Sequence, residues 1–298
     1  MPNEQMEFLP SSGLMSATEI AHIAKEFVSL GINKIRLTGG EPLLRKDFPE
    51  ILQNLSQLPV ELTFTSNGIL VPKYMKNILD AGIKSATISL DSLDSNKFFK
   101  LTQRNDFNKV WESILLLLSK KIHVKLNVVL MKGENENEVN QFVALTKELP
   151  IHVRFIEFMP FTGNHWDKSK VMTKEEILGL VATEFDYIKL VDEKHETAKK
   201  YQVKKHLGTF AIITTMSEPF CGDCNRIRLT ADGKIKNCLF SREESDLLGK
   251  YRNGEEVISV IKKSILEKKW KQGGQFASTY GETDANKIVN RSMIHIGG

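Results

Sequence analysis

Apolar and polar residues alternate along the first half of the chain in two periods, which predict helices and strands in turn. A helix is predicted to begin at Ser16, which forms a capping box with Glu19, and to continue past Phe27 until Gly31 stops it. Helical spacing predicts further helices at 48–55, 73–81, 108–119 and 136–148. Apolar runs bounded by turn residues predict strands at 34–38, 60–65, 85–90, 123–130 and 152–158.

Strands separated by helices indicate parallel βαβ units with right-handed crossovers. Five such strands predict an α/β fold of the partial or open (β/α) barrel type. The chain enters this alternation with a loop at 1–15 and a helix, so we expect the first strand of the barrel to be absent. An α/β fold that simply opens with a helix is the alternative.

The alternation lapses after residue 158, where a domain boundary is predicted between 1–158 and 159–298. The region 165–220 is expected to hold a short helix near 173–185 and otherwise irregular, charged sequence. A cysteine-bearing segment follows at 221–240, and an amphipathic helix is predicted at 255–270. The second region is therefore expected to be a smaller α+β extension of the barrel.

Composition and charge narrow the classes of function. The 298 residues carry a net charge of +4, which argues against a dedicated nucleic-acid binder but allows basic residues to converge on one anionic ligand. No stretch is apolar for long enough to span a bilayer, and no leader pattern opens the chain, so the cytoplasm is the expected location. The three cysteines form an odd, clustered set, which indicates a metal site rather than a disulfide framework.

Candidate ligand-binding residues lie where predicted strands end, at the rim of the barrel. Gly39 and Gly40 would let the backbone approach a ligand, and Glu41 offers an acceptor to an amine. Polar residues inside or directly after the other strands would be costly to bury without a partner. They are Thr65, Ser89, Lys125, Asn127, Arg154 and Glu157.

The spacing of Cys221, Cys224 and Cys238 is typical of a metal or cluster site with one coordination position left open. Zinc with a histidine as fourth ligand and an iron–sulfur cluster both suit this spacing. The zinc reading has candidate histidines at His195, His206 and His295. A β-hairpin is predicted between the second and third cysteines. Arg226 and Arg228 alternate on its first strand, which suits phosphate recognition, although a solvated edge strand is the plainer reading.

Together these motifs resemble the GTP 3′,8-cyclases of molybdenum cofactor biosynthesis, which are radical S-adenosylmethionine (SAM) enzymes. The resemblance covers essentially the whole chain and is most specific at 34–42, 154–159, 221–238 and the terminal Gly297-Gly298. It implies a partial (β/α)6 barrel with a C-terminal molybdenum cofactor synthesis domain. It also implies conversion of GTP to (8S)-3′,8-cyclo-7,8-dihydroguanosine 5′-triphosphate through a deoxyadenosyl radical.

The resemblance also implies roles for single residues. SAM would be bound by Gly39, Gly40, Glu41, Ser89, Asn127 and Met159. GTP would be bound by Lys34, Arg36, Thr65, Lys125, Arg154, Arg226 and Arg228. A [4Fe–4S] cluster would be held by Cys221, Cys224 and Cys238, and Gly297 and Gly298 would insert toward the active site.

The sequence departs from the family at its start. The family's Cys-x3-Cys-x2-Cys loop, which holds the SAM-binding cluster, should come directly before Met1, so we expect an N-terminally truncated chain that cannot initiate radical chemistry. A non-catalytic GTP and iron–sulfur binding protein and a zinc-stabilised nucleotide-binding module are the alternatives. Implied partners are GTP, an electron donor and a downstream cyclic pyranopterin monophosphate synthase, without membrane or nucleic acid; a homodimer is compatible with the family.

Overall fold

A capped helix opens the part of the chain that the computed structural model describes, which comprises residues 10–276, 288–291 and 293. Helix α1 (Ala17–Ser29) begins with the predicted capping box. The Ser16 backbone N–H donates to the Glu19 carboxylate at 2.8 Å, and the Glu19 N–H donates to the Ser16 hydroxyl at 3.2 Å. Gly31 has a φ of 95°, which ends the helix as predicted.

Strands and helices then alternate as the apolar pattern predicts. In chain order they are β1 (Lys34–Leu37), α2 (Phe48–Leu55), β2 (Glu61–Ser66), α3 (Val71–Asp80), β3 (Ser85–Ser89), α4 (Ser95–Thr102), α5 (Phe107–Ser119), β4 (His123–Leu130), α6 (Val139–Glu148) and β5 (His152–Glu157). Every predicted strand is confirmed within one residue of its expected ends. Helix α4, which Asp94 caps by accepting from the Lys97 N–H at 2.7 Å, was not predicted.

The second half contains more regular structure than its sequence pattern suggests. Its elements are α7 (Lys174–Ala182), β6 (Tyr187–Lys189), β7 (Lys199–Val203), β8 (Thr209–Ile213), β9 (Arg228–Leu229), β10 (Lys234–Lys236), β11 (Ser245–Asp246), α8 (Leu247–Arg252) and α9 (Ile258–Leu266). The expectation of irregular sequence after the helix in 165–220 is wrong, because β6 to β8 lie there. The predicted hairpin is confirmed as β9 and β10, whereas the predicted helix at 255–270 is shorter at both ends.

The strands β1 to β8 form one sheet, in the order β1-β2-β3-β4-β5-β8-β7-β6. The first five and β8 run parallel, while β6 and β7 are antiparallel. The architecture is therefore an open, partial barrel with β8 as a sixth parallel strand. Since β8 pairs with β5, the sheet continues across residue 159, and the domain division there stays a prediction.

The two faces of the parallel sheet differ in polarity. One face carries apolar side chains, among them Phe64, Val124 and Phe155, which pack against the surrounding helices in the main core. The other face carries polar side chains in register. One row comprises Thr65, Thr87, Lys125, His152 and Thr209, and a second comprises Ser89, Asn127 and Arg154. Alternate residues of a strand point to opposite faces, so the polar row forms the inner face of the partial barrel.

A second, smaller core joins the two ends of the described chain. Ile23 and Phe27 of α1 pack with Ile235 of β10 and Ile261 of α9. Arg252 closes this contact by donating to Glu19, with Nε 2.7 Å from a carboxylate oxygen. The described helices include none that is long and apolar enough to cross a membrane. The cytoplasmic location stays a prediction.

Candidate functional site

The polar inner face of the sheet has buried hydrogen-bonding atoms that the protein leaves unpartnered. Eight buried side-chain nitrogen and oxygen atoms in the described residues have no partner. Five of them belong to this face: Arg36 Nε, Thr65 Oγ1, Ser85 Oγ, Asn127 Oδ1 and Arg154 Nε. Buried polar groups are normally hydrogen-bonded, and leaving one unpaired costs roughly 1–3 kcal/mol. This concentration of unpartnered groups indicates a polar ligand.

The same face is strongly cationic. Arg154 is 7% exposed, and its guanidinium donates from Nη2 to the Thr87 hydroxyl at 3.1 Å. Its pKa is lowered to about 9, first by burial and then by the positive charges of Arg36 and Arg226. The pKa of Lys125 is lowered to about 8, by burial and then by Arg154 and other cations. Arg154 and Lys125 nevertheless remain largely protonated at neutral pH. The positive charges on this face therefore repel one another, and a bound anion would relieve that repulsion.

Two of the predicted GTP residues are partly neutralised by acids. Lys34, at the start of β1, forms an ion pair with Glu61 at 2.7 Å and is largely exposed. Arg226 donates from Nη2 to the Thr197 hydroxyl at 2.6 Å, and the Glu196 carboxylate attracts it. The structure therefore brings Arg36, Lys125, Arg154 and Arg226 together, and Lys34 lies beside them with a partner already in place.

The glycine-rich turn after β1 is built around Glu41. One carboxylate oxygen accepts from the Leu43 N–H at 3.1 Å and the Ser66 hydroxyl at 2.9 Å, and the other accepts from the Asn67 N–H at 2.7 Å. These bonds tie the turn after β1 to the turn after β2. Burial raises the pKa of the Glu41 carboxyl, and these bonds oppose that rise. The sequence predicted that Glu41 accepts a hydrogen bond from a ligand amine. In the structure, the Glu41 carboxylate already accepts three hydrogen bonds from the protein itself.

The other residues predicted to bind SAM lie near the same rim. Ser89, the last residue of β3, is in register with Asn127 inside β4, and Ser89 is exposed. Gly39 has a φ of 136°, a backbone conformation that favours glycine. Met159 is half-buried and packs in the cluster of Phe161, Met216 and Phe240. Their contact with SAM stays a prediction.

The three cysteines are free thiols near one another, next to the cationic face. Cys221 begins a short 3-10 turn that ends before Cys224, and Cys238 follows β10. The pKa of Cys221 is raised by burial, and the other two thiolates raise it further. Arg228 links the two parts of the site. Its pKa is lowered to about 10 by burial and by Arg226, while Cys238 and Cys224 oppose that change.

Within the described residues, no three His, Cys, Asp or Glu side chains converge closely enough to share one metal ion. Thiolates around a single zinc ion would lie about 3.8 Å apart, given Zn–S bonds of about 2.3 Å in a tetrahedron. A four-iron cluster is wider, and its ligands lie farther apart. Among the candidate zinc histidines, His195 bonds the Asp223 carbonyl at 2.9 Å, His206 bonds the Thr146 hydroxyl at 2.8 Å, and His295 lies outside the described residues.

Sequence reasoning missed several residues of this region. Thr87 and Thr197 hold two of the arginines, and Glu196 supplies a carboxylate with one buried, unpartnered oxygen. Lys268 and Gln272 donate to cysteine sulphurs from a segment that no sequence motif marks. The predicted catalytic Gly297 and Gly298, and the Met1 at which the family pattern departs, lie outside the described residues.

Two family models match the chain. The Radical SAM superfamily matches residues 3–146, and the family described as Molybdenum Cofactor Synthesis C matches residues 151–273. The first range contains no cysteine, so this sequence offers no thiolates there for a SAM-binding cluster. The second range contains all three.

The chain is also similar to curated proteins along its whole length. It is 43% identical to the mitochondrial GTP 3′,8-cyclase of Arabidopsis thaliana, an alignment that covers 100% of this chain and 76% of that protein. It is 39% identical to the GTP 3′,8-cyclase of Alkaliphilus oremlandii, over 100% of this chain and 92% of the other. Molybdenum cofactor biosynthesis protein 1 of Homo sapiens is 39% identical over 99% of this chain, which spans 46% of that longer protein.

A solved structure supports the fold. Streptococcus suis SuiB bound to S-adenosylmethionine superimposes with a TM-score of 0.61 and 13% identity, covering 97% of this chain and 68% of that one. At this identity the likeness concerns the fold alone, and it agrees with the partial barrel described above. On the strength of the two family models and the full-length similarity, the chain belongs to the GTP 3′,8-cyclase family of radical SAM proteins.

Proposed function

We propose that this chain binds GTP across the inner face of its partial barrel, as the substrate-holding part of a GTP 3′,8-cyclase in molybdenum cofactor biosynthesis. The observation that carries the proposal is the set of unpartnered, buried polar atoms among clustered cations on that face. A triphosphate supplies the negative charge and the acceptors that the arginine nitrogens and the hydroxyls lack, whereas Asn127 Oδ1 needs a donor. Names of relatives that are about 40% identical over the whole chain point to the same nucleotide.

The cations assign an orientation to the nucleotide. Arg36, Lys125 and Arg154 would meet the phosphates, because they lie together on the inner face. After burial, the charges of Arg154 and Arg36 lower the pKa of Lys125, and that of Arg36 lowers the pKa of Arg154. Arg228 lies between these cations and the thiolates. The guanine end would therefore point toward Cys221, Cys224 and Cys238.

The three cysteines suit a [4Fe–4S] cluster. They are free, the thiolates influence one another, and two of the sulphurs already accept hydrogen bonds. Three thiolates leave one iron without a protein ligand, and such an iron can act as a Lewis acid toward a base nitrogen. Holding the guanine beside the cysteines while the cations fix the phosphates would position the ribose between them.

The SAM-binding cluster does not fit the residues of this sequence, because all three cysteines belong to the other site. No reaction step is assigned to it. A non-catalytic GTP and iron–sulfur binding protein is the second candidate. Incubation with SAM and dithionite separates the two: release of 5′-deoxyadenosine would favour the cyclase for this polypeptide, and its absence with intact GTP binding would favour the binding protein.

Anaerobic isothermal titration tests the binding of GTP. We expect Arg154→Met and Arg228→Met each to weaken GTP binding by about 10- to 100-fold, since a hydrogen bond to a charged group is worth about 1.5–3 kcal/mol. Lys84→Met is the matched control, because Lys84 is exposed directly before β3. GMP should bind more weakly than GTP, and the difference should narrow in the Arg154 variant. Equal affinity of all variants for GTP would overturn the proposal.

The remaining parts of the proposal concern partners. The synthase that accepts the product, an electron donor for the cluster and a homodimeric assembly are carried over from the family. Contact between Gly297-Gly298 and the nucleotide is carried over in the same way. The chain's net charge of +4 suits a small anionic substrate rather than a nucleic acid.

A further inference from the structure

The segment that follows α9 contacts the surroundings of all three cysteines. The Lys268 ammonium lies 3.5 Å from Cys224 Sγ, and the Gln272 backbone nitrogen lies 3.3 Å from Cys221 Sγ. Next to them, Gly273 lies so close to the chain after Cys238 that an added Cβ would be 2.6 Å from the carbonyl carbon of Phe240. Residues 268–273, here called the 268–273 segment, therefore contact the cysteine site at both ends.

Lys268 is held in place by more than the sulphur. Its ammonium also donates to the carbonyl oxygens of Cys224 at 2.7 Å and Arg226 at 3.2 Å. An ammonium has three donors, and these contacts use all of them. The side chain therefore has one fixed position, with its positive charge directed at the Cys224 sulphur.

Gln272 holds the other end of the segment. Its side-chain amide donates to the Thr215 carbonyl at 2.6 Å, in the loop between β8 and Cys221. The side chain is 3% exposed. This buried anchor keeps the Gln272 backbone N–H directed at Cys221.

We propose that two donors of the 268–273 segment, the Lys268 ammonium and the Gln272 backbone N–H, set the reduction potential of the cluster held by the three cysteines, with Lys268 as the charged donor. Hydrogen bonds to cluster sulphurs and nearby positive charge stabilise the reduced, more negative state of such a cluster and raise its potential. Lys268 provides both, whereas its neighbour Lys269 is exposed. The inference depends on the proposed cluster assignment.

The test compares Lys268→Met with Lys269→Met, which removes the same charge one residue away. Both proteins and the wild type are reconstituted anaerobically, their iron and sulfide are quantified, and the midpoint potential is measured by dye-mediated titration followed by electron paramagnetic resonance. We expect Lys268→Met to shift the equilibrium between oxidised and reduced cluster at least tenfold toward the oxidised form, about 59 mV for one electron. Lys269→Met should match the wild type.

Two further variants separate charge from structure. Lys268→Arg should keep the wild-type potential, and Lys268→Gln, which keeps a donor without the charge, should fall between wild type and Lys268→Met. If Lys268→Met retains no cluster, the potentials of Lys268→Arg and Lys268→Gln are compared instead. Equal potentials in these two variants would overturn the inference. A Lys268→Met protein with full iron content and unchanged potential would also overturn it. A wild type that retains no iron or sulfide would overturn the cluster assignment and the inference together.

Discussion

Replacing Lys125 with methionine should stabilise the free protein and weaken its binding of GTP. Lys125 points to the inner face of the barrel among Arg154, Arg36 and Lys34, and all of these cations lower its pKa. Methionine keeps most of the side chain's apolar bulk and removes the charge. The substitution therefore relieves repulsion among these cations in the nucleotide-free protein and removes a proposed phosphate partner.

The size of the effect follows from the pKa of this lysine. Burial and neighbouring cations lower it from 10.5 to about 8. Each tenfold change in proton affinity corresponds to about 1.4 kcal/mol, so the charged form is disfavoured by about 3 kcal/mol in the limit of no screening. The side chain is only half-buried, and solvent screening reduces this to about 1–2 kcal/mol.

The dependence on pH has a definite sign. Between about pH 8 and pH 10.5 the unfolded chain binds more protons at Lys125 than the folded chain, so the stability of the wild type rises with pH in that window. The Lys125→Met protein lacks this contribution. The stability advantage of the variant should therefore be largest below pH 8 and should shrink as the pH is raised toward 9.5.

Urea unfolding of the wild type, Lys125→Met and the control Lys84→Met at pH 7.0, 8.0, 9.0 and 9.5 measures these differences. Repeating the series with saturating GTP should reverse the order, because the nucleotide then stabilises the wild type more than the variant. A Lys125→Met protein that is less stable than the wild type without nucleotide would refute the reasoning. An advantage that stays constant from pH 7 to 9.5 would also refute it.

Three further substitutions test other parts of the structure. Glu41→Ala leaves the Asn67 N–H without its acceptor and should cost about 2–4 kcal/mol of unfolding free energy, measured in urea. Gly273→Ala should lower the iron retained after anaerobic reconstitution, because its Cβ would overlap the backbone at Phe240; full iron content would contradict the close approach. Arg291→Met removes a two-bond pair with Asp232 and should speed hydrogen exchange across 288–291, whereas unchanged exchange would show that the pair does not hold this segment.

The first half of the fold could be predicted from local sequence. The capping box at Ser16 and the apolar runs give each element without reference to distant residues, and every expected strand is present. The second half could not be predicted in this way. In β7 the sequence Lys-Lys-Tyr-Gln-Val begins with two lysines whose charges are balanced by Asp192 and Glu196. Both carboxylates lie within seven residues of their lysines, but charged residues of this kind give no apolar alternation from which a strand could be predicted.

The candidate site, like the fold, could be predicted from local sequence only in part. Polar residues within apolar strands indicated the inner face, and the strand register brings Lys125 and Asn127 next to Thr87 and Arg154 as a parallel sheet requires. The role of Lys268 depends on the path of the chain after α9. Lys268 and Lys269 are adjacent residues of the same type, so the sequence cannot tell them apart. Only the fold shows that Lys268 contacts a cysteine sulphur while Lys269 is exposed.

The pairing of β5 with β8 has a consequence for substrate length. Arg154 is in register with Ala211, and the chain reaches Cys221 ten residues later. The strand pairing and the loop 214–220 therefore set how far the cysteine turn starts from the cations that we propose to bind the phosphates. A residue inserted into 214–220 would alter which nucleotide spans that gap while leaving every ligand-contacting side chain unchanged. Discrimination among nucleotides by overall length would then reside in the sheet and its connecting loop.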